Sequence, residues 1–156
     1  MRHCDSARLS PADLLAAADS LLTELGDAPS AHGRMQMAYA CGCADGGLEV
    51  IYVLSQGANQ PYKVWRVRPQ GHTLPSLANK LPLLGWYERE MMDLYGLQFE
   101  GHPEPNPLVL HEGMSRSPAP LAAGFDPAAA VRDYSPLPPI LPQVLGPDIQ
   151  RLPFGP

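Results

Sequence analysis

Residues 85–103 read Gly-Trp-Tyr-Glu-Arg-Glu-Met-Met-Asp-Leu-Tyr-Gly-Leu-Gln-Phe-Glu-Gly-His-Pro, and this stretch carries the most specific pattern in the chain. Just before it, Pro82 lacks a backbone N–H and suits the first turn of a helix. Gly96 follows the last apolar residue, as a left-handed glycine that ends a helix does. The sequence therefore predicts a helix that ends at Gly96, a short strand at 97–100 and a sharp turn at 101–103.

The apolar residues of this predicted helix recur every three or four positions, which places them on one face. Trp86, Glu90 and Asp93 fall on another face, and Arg89 is spaced to pair with Asp93. The plain interpretation is an amphipathic helix with a solvated charged face. Trp86 and Tyr87 favour a second interpretation, because large rings beside charges are typical of surfaces that bind a partner. The apolar face comprises Leu84, Tyr87, Met91, Leu94 and Tyr95.

An earlier segment predicts a first helix. Ser10 is a capping residue, Pro11 occupies the first helical position and Gly26 ends the pattern. The apolar stripe of this helix comprises Leu14, Ala18, Leu21, Leu22 and Leu25.

Between the two helices the pattern changes to that of strands. In one strand Met35, Met37 and Tyr39 alternate with polar or small residues, as in a half-buried strand. Residues 48–54 are apolar nearly throughout, which predicts a central strand covered on both faces. Further segments predict a third strand at 62–68 and a short helix at 74–81. The fold class is therefore α+β: a small mixed or antiparallel sheet packed with two or three helices.

The composition changes after residue 103. Of the 19 prolines, 13 lie from Pro103 onward, a density that favours extended chain over regular structure. A disordered tail is one interpretation, but the segment also carries many apolar residues, which suits an arm that lies along a partner. We therefore expect a compact domain at 1–103 and a proline-rich extended arm at 104–156.

The overall composition limits the class of protein. With 156 residues the chain suits one domain with a sizeable core. Its net charge of −5 and the lack of a Lys/Arg cluster argue against nucleic-acid binding. Three cysteines form no even disulfide framework, so we expect a reducing compartment. No stretch approaches the ~20 apolar residues that cross a bilayer, so we expect membrane association only through partners.

Acid–base catalysis is a possible role for Glu88, Glu90 and Asp93. However, Glu88 and Glu90 lie two positions apart on a helix and point in different directions, and the sequence places no nucleophile beside them. Ion pairing at an interface is the interpretation we prefer for these acids.

The cysteines and histidines predict no metal site. Cys41 and Cys43, with Cys4, are too few for a four-ligand iron–sulfur or zinc site, and nearby glycines indicate a hairpin. His102 and His111 are interpreted as turn residues that form hydrogen bonds. We expect no cofactor in this chain.

The stretch at 85–103 resembles the signature of the 30-kilodalton subunit family of respiratory complex I. Relatives of that family include subunits or fused domains of membrane-bound nickel–iron hydrogenases and formate hydrogenlyases. There, Trp-x-Glu-Arg-Glu-x-x-Asp-x-Phe/Tyr-Gly leads through a short strand into Gly-His-Pro. Residues 131–134, Val-Arg-Asp-Tyr, more loosely resemble a second family segment, Pro-Leu-Arg-Lys-Asp-Phe/Tyr-Pro. The signature residues that match are Trp86, Glu88, Arg89, Glu90, Asp93, Tyr95, Gly96, Gly101, His102 and Pro103.

The resemblance implies a cofactor-free subunit in the peripheral arm of a membrane complex, on the cytoplasmic face. Its partners would be a hydrogenase-type, 49 kDa-like large subunit and an iron–sulfur subunit of the same complex, with the C-terminal arm wrapped over the large subunit. The partner-interface residues that it implies are Trp86, Tyr87, Glu88, Arg89, Glu90, Asp93, Gly101, His102, Pro103, Arg132, Asp133 and Tyr134.

Two segments bear on which complex is meant. Complex I members continue Gly-His-Pro with a Leu-Arg-Arg-Ile-Leu run, whereas residues 107–111 here read Pro-Leu-Val-Leu-His and resemble the hydrogenase and formate hydrogenlyase branch. Residues 152–156, Leu-Pro-Phe-Gly-Pro, are similar to the start of the hydrogenase large subunit in fused relatives. We therefore favour a hydrogenase-type complex. The alternatives are the 30-kilodalton subunit of complex I itself (NADH:quinone oxidoreductase), a free-standing hydrolase around Glu88 and His102, and an adaptor unrelated to redox chemistry.

Overall fold

The computed structural model describes residues 4–25, 34–55, 61–110, 118–122 and 124–129. The helices and strands within them follow the predicted order with two differences: a strand precedes the first helix, and a short strand takes the place of the short helix predicted at 74–81. In chain order they are β1 (Cys4–Leu9), α1 (Pro11–Leu25), β2 (Arg34–Gly42), β3 (Leu48–Ser55), β4 (Tyr62–Val67), β5 (Thr73–Pro75), α2 (Leu84–Tyr95) and β6 (Gln98–Glu100).

The first helix forms as its capping residue predicts. The Oγ of Ser10 accepts a hydrogen bond from the backbone N–H of Asp13 at 3.2 Å, which satisfies one of the free amides of the first turn. Leu14, Ala18 and Leu21 are buried, whereas Leu22 is 37% exposed. The prediction that Leu22 belongs to the buried stripe is wrong, because one residue of helix turns the side chain by about 100° away from Leu21.

Four strands form one mixed sheet in the order β1-β4-β3-β2, which confirms the α+β class. β1 runs parallel to β4, while β4, β3 and β2 pair antiparallel. Both helices contribute to one core cluster with a single face of this sheet, where Tyr52 of β3 lies between Ala38 and Trp65. β3 is buried along most of its length, as predicted, and Ile51 on the other face is only 4% exposed.

The prediction that Met37 and Tyr39 belong to the buried face of β2 is wrong. Met37 and Tyr39 are 44% and 39% exposed, and the small residues Ala38 and Ala40 are buried instead. α2 packs on this strand, and alanine leaves the helix room to approach the sheet closely. A register shift between Met35 and Met37 marks a bulge in the pairing with β3.

The short helix predicted at 74–81 is also wrong. Residues of its first turn form β5, which pairs parallel with β6 so that Leu74 lies beside Phe99. A series of turns follows and leads into α2. Leu74 in β5 and Leu77 in the following turn are both buried in the same core. Their spacing of three residues therefore matches that of a helix although no helix forms there.

The second helix begins two residues later than predicted, at Leu84, because Pro82 lies in the turn before it. It ends as predicted at Gly96, which has a φ of 69° and donates its N–H to the carbonyl of Met92 at 3.1 Å. A left-handed glycine thus stops α2 and directs the chain into β6.

Candidate functional site

α2 buries two of its acids as well as its apolar residues. Leu84 and Met91 are buried as expected, but Glu88 and Asp93 are both 0% exposed. The plain interpretation of a solvated charged face therefore does not hold for Asp93. A buried carboxylate needs hydrogen-bond donors, so the partners of these two acids decide what the signature stretch does.

Asp93 binds a row of backbone amides. Its Oδ2 accepts hydrogen bonds from the N–H groups of Leu108 and Val109, each at 2.7 Å, and of Leu110 at 3.2 Å. Three consecutive amides that converge on one oxygen form a concave anion site, and the side chain of Asp93 fills it. Asp93 therefore fixes residues 108–110 against α2.

Arg89 holds the preceding part of the same segment. Its Nε donates to the carbonyl of Asn106 at 2.8 Å, and its Nη2 donates to that of Pro107 at 2.9 Å. Arg89 and Asp93 therefore do not pair with each other as predicted; Arg89 binds the carbonyls of residues 106 and 107, and Asp93 binds the amides of residues 108–110. The guanidinium of Arg89 also lies 5.7 Å from the ring centre of Trp86, within the range of a cation–π contact.

Glu88 and His102 hold the segments on either side of α2. The carboxylate of Glu88 accepts hydrogen bonds from the hydroxyl of Ser76 at 2.5 Å and from the amide of Leu77 at 2.8 Å. His102 is bonded through both ring nitrogens, at 3.2 Å to the carbonyl of Gly85 and at 3.0 Å to the amide of Glu104. His102 is therefore a hydrogen-bonded turn histidine, as the sequence predicts.

Ser76, Glu88 and His102 lie together, yet they do not form a hydrolytic triad. In such a triad the imidazole stands between the nucleophile and the acid, so that it takes the hydroxyl proton. Here Ser76 bonds directly to Glu88, and the nitrogens of His102 bond to backbone groups. All three residues are buried, so this arrangement supports structure rather than hydrolysis.

The outer side of α2 exposes large apolar side chains. Trp86 is 60% exposed and Leu83, one turn earlier, is 52% exposed. Val109, which Asp93 holds beside the helix, is also exposed. Leu121 adjoins the end of α2, where its N–H donates to the carbonyl of Leu94 at 2.7 Å. We call this surface the outer stripe; it comprises Leu83, Trp86, Glu90, Val109 and Leu121, all of which are exposed.

The remaining residues of the predicted interface fall in three places. Gly101 and Pro103 are exposed in the turn after β6. Tyr87 is half-buried, and its hydroxyl donates to the carbonyl of Gln36 at 3.3 Å. Residues 132–134, predicted to belong to the arm, lie outside the described residues. The structure thus brings the signature stretch together with residues 104–110, which the sequence assigned to the arm.

Cys41 and Cys43 lie at the hairpin that the glycine pattern predicts, whereas Cys4 lies in β1. The N–H of Cys43 donates to the carbonyl of Gly47 at 2.7 Å and closes the turn between β2 and β3. Cys4, Cys41 and Cys43 are free thiols. Burial is the largest cause that raises the pKa of the Cys41 thiol. Among the residues that the structure describes, no three His, Cys, Asp or Glu side chains are arranged to hold a metal ion.

A groove of about 820 Å³ adjoins the C-terminal end of α2. Its walls combine apolar side chains such as Met92 and Phe99 with the polar side chains of His72, Gln98 and Glu100. Neither described helix is long and apolar enough to cross a membrane, within the ranges given above.

The described residues thus form a small α+β domain in which two signature acids, Glu88 and Asp93, bind backbone amides of the same chain, and apolar side chains are exposed along α2. Residues 8–130 match the family model described as "Respiratory-chain NADH dehydrogenase, 30 Kd subunit", and the chain belongs to this family.

Curated relatives agree with the family. The chain is 33% identical, over 103 residues, to the NADH-quinone oxidoreductase C subunit of Methylobacterium sp. (strain 4-46). That alignment covers 63% of this chain and 47% of the relative. It is also 44% identical, over 50 residues, to the NAD(P)H-quinone oxidoreductase J subunit of Synechococcus sp. (strain CC9605). That alignment covers 32% of this chain and 27% of the relative. The chain thus spans about half the length, or less, of the curated relatives it matches.

The fold also occurs in a solved structure. A chain of the membrane-bound sulfane sulfur reductase (MBS), an archaeal respiratory membrane complex, superposes with a TM-score of 0.65 at 19% identity. The superposition covers 85% of this chain and 77% of that chain. At this identity the likeness concerns the fold alone.

Proposed function

We propose that this chain is a cofactor-free assembly subunit in the peripheral arm of a membrane-bound, hydrogenase-type oxidoreductase related to complex I. In this proposal it lies on the cytoplasmic face and reaches the membrane only through its partners. It docks on the nickel–iron type large subunit, beside the iron–sulfur subunit of the same complex.

The observation that carries this proposal is the outer stripe. Trp86 is largely exposed on a rigid helix, and tryptophan is among the residues that contribute most to binding at the centre of protein interfaces. Leu83, Val109 and Leu121 add further exposed apolar surface along the same helix. Such side chains on a small domain are expected to be covered in a larger assembly.

The buried signature residues support the proposal indirectly. Glu88, Arg89 and Asp93 bind backbone groups of their own chain, so their part in docking is to fix the shape of the surface. Arg89 does so most directly, because it lies between Trp86 and the carbonyls of residues 106 and 107. Direct contacts are proposed for Trp86 and Glu90, and for Gly101 and Pro103 in the exposed turn.

The hydrogenase branch is proposed on two short segments. Residues 107–111 lack the basic pair of complex I members, and residues 152–156 are similar to the start of the hydrogenase large subunit in fused relatives. Arg132, Asp133 and Tyr134 would then belong to an arm that lies on that subunit.

The corresponding subunit of respiratory complex I is the second candidate. The observation that favours it is that the curated relatives are named as the C subunit of NADH-quinone oxidoreductase. The two candidates share the docking stripe and differ in the composition of the complex.

Affinity purification of the chain from gently solubilised membranes separates these candidates. We expect a hydrogenase-type large subunit by mass spectrometry and nickel with iron by elemental analysis. Iron with flavin and NADH-oxidising subunits, without nickel, would assign the chain to complex I. Recovery of the chain alone would contradict both candidates.

The Trp86→Ala variant tests the stripe itself. We expect it to fold normally and to lose at least tenfold in co-purified partners, as truncation of a central interface tryptophan does. Leu15→Ala is the matched control, because Leu15 is 38% exposed on α1, away from the stripe. Equal recovery of partners by both variants would contradict docking through the stripe.

A further inference from the structure

The carboxyl group of Glu88 lies in an unusual position for an acid. It is 0% exposed and points from α2 into the core. Its two oxygens accept one hydrogen bond each from neutral groups, the hydroxyl of Ser76 and the amide of Leu77. A buried carboxylate with two neutral donors retains only part of the stabilisation that water gave it.

Within the described part of the chain, no positive charge stands against this carboxyl group. The nearest basic group there is the imidazole of His102, with its Nε2 at 3.8 Å from Oε2 of Glu88. Nε2 faces the carbonyl of Gly85, which only accepts, so Nε2 carries a hydrogen. Nδ1 accepts the amide hydrogen of Glu104, so it carries none. His102 is therefore the neutral tautomer and provides no counter-ion.

The sheet side of this region contains an unpaired polar atom. Tyr52 of β3 is fully buried, and its hydroxyl has no hydrogen-bond partner among the described residues. Burial, and to a lesser degree the charge of Glu88, raise the pKa of Tyr52, so Tyr52 stays protonated. Glu88 is thus contacted by Ser76 and the Leu77 amide from the β5–α2 connection and approached by His102 from the turn after β6, while Tyr52 of β3 is near enough for the charge of Glu88 to raise its pKa. All of these groups are neutral.

We propose that Glu88 is a proton-binding site of the folded chain, at which the carboxyl group and the Ser76 hydroxyl exchange donor and acceptor roles. In the ionised form Ser76 donates to Oε2. On protonation one proton from solvent binds Oε2, which then donates to Oγ of Ser76. Oγ keeps its own hydrogen and, with two lone pairs, accepts both this proton and the amide hydrogen of Ala78. One covalent bond forms, the O–H bond of Oε2, and its proton comes from solvent; otherwise only hydrogen bonds change.

The energetics of the site agree with this geometry. Burial raises the pKa of Glu88 to about 7 from an ordinary 4.5, although the hydrogen bonds from Ser76 and Leu77 act in the opposite direction. The folded chain therefore binds the proton more tightly than the unfolded chain does. The resulting stabilisation is complete below about pH 4.5 and is lost as the pH rises to about 7. Near neutral pH, small changes in pH would therefore change the protonation of Glu88 and its hydrogen bonds to the β5–α2 connection.

A titration of the 156-residue chain, labelled with ¹³C at the glutamate side-chain carboxyl, tests the site directly. We expect one carboxyl resonance to titrate near pH 7 and to be absent from Glu88→Gln. Glu90→Gln is the matched control, because Glu90 is exposed on the same helix, and it should leave that resonance unchanged. Titration of every glutamate near its ordinary pKa in the wild-type chain would overturn the proposal, even if the Gln variant does not fold.

Denaturant unfolding between pH 4 and 9 gives an independent test. Glu88→Gln mimics the protonated form, so the stability of the variant relative to wild type should rise with pH and level off above about pH 7. A constant difference across this range would contradict the proposal. Both experiments use the isolated chain, so their outcome is separate from that of the partner purification.

Discussion

The two helices of this domain pack on the same face of one sheet, but different forces hold them. α1 buries an apolar side formed by Leu14, Ala18 and Leu21. Its acids stay at the surface, where Asp19 pairs with Lys80 and Glu24 pairs with Lys63. α2 buries two acids: Glu88 binds the hydroxyl of Ser76 and the amide of Leu77, and Asp93 binds the amides of residues 108–110.

The difference shows what each helix contributes. α1 is attached by non-directional burial of apolar area, which needs only the right period. α2 also buries apolar side chains such as Leu84 and Met91, but its charged groups add directional hydrogen bonds, each of which fixes one particular segment in one place. α1 therefore supplies stability, while α2 also determines the path of residues 76–78 and 104–110. Three substitutions test this contrast, beginning with the largest expected effect.

Leu14→Ala should be the most destabilising of the three. Leu14 is 0% exposed in the core, and truncation of such a leucine costs about 4 kcal/mol of unfolding free energy through lost burial and the cavity left behind. Denaturant unfolding measures this loss. We expect hydrogen exchange to accelerate across the whole domain and not only near α1. A loss confined to the amides of α1 would mean that this helix is not part of the common core.

Asp93→Ala should cost about 3 kcal/mol, because the amides of Leu108, Val109 and Leu110 lose a charged acceptor. The effect on hydrogen exchange should be local, with a larger increase in rate at those three amides than elsewhere in the domain. Asp93→Asn is the matched control, since it keeps one acceptor oxygen and should lose less. If Asn and Ala were equally destabilising, the negative charge rather than the acceptor would be the important property.

Gly96→Ala should have the smallest effect, about 1 kcal/mol, because a side chain is strained at a φ of 69°. Thermal unfolding measures it. The substitution tests whether α2 ends through backbone conformation alone, independently of its buried acids. Combined with Asp93→Ala, it should be additive to within about 0.5 kcal/mol if the two features act separately. A markedly larger combined loss would show that the helix end and the amide row are one unit.

Much of the fold could be predicted because it follows from local rules. The cap at Ser10, the stop at Gly96 and the apolar run of β3 each act within a few residues, and all three predictions are confirmed. The predictions that failed depend on which neighbour packs against a segment. Alternation in β2 is compatible with either face, and only the approach of α2 selects Ala38 over Met37.

The site was harder to predict than the fold. The signature stretch identified the right helix, but periodicity placed Asp93 with Trp86 and Glu90, away from the apolar face, and gave no sign that Asp93 is buried. Its partners are backbone amides of residues 108–110, and backbone groups leave no trace in side-chain patterns. The same reason hides the contact of Arg89 with the carbonyls of residues 106 and 107. One signal in the sequence could have indicated buried acids: three acidic residues, Glu88, Glu90 and Asp93, lie on one short helix.

The parallel pairing of β1 with β4 has a consequence for the order in which the chain folds. Cys4 lies beside Tyr62, and Leu9 lies beside Val67, so this pairing joins residues that are far apart in sequence. Of the described strands β1 is synthesised first, whereas its partner β4 is synthesised only after β2 and β3. Pairs with such long separation form slowly, because a long loop must close before any contact compensates for it. β1 should therefore be the last strand to join this sheet and, since it is exposed along most of its length, the first to separate from it.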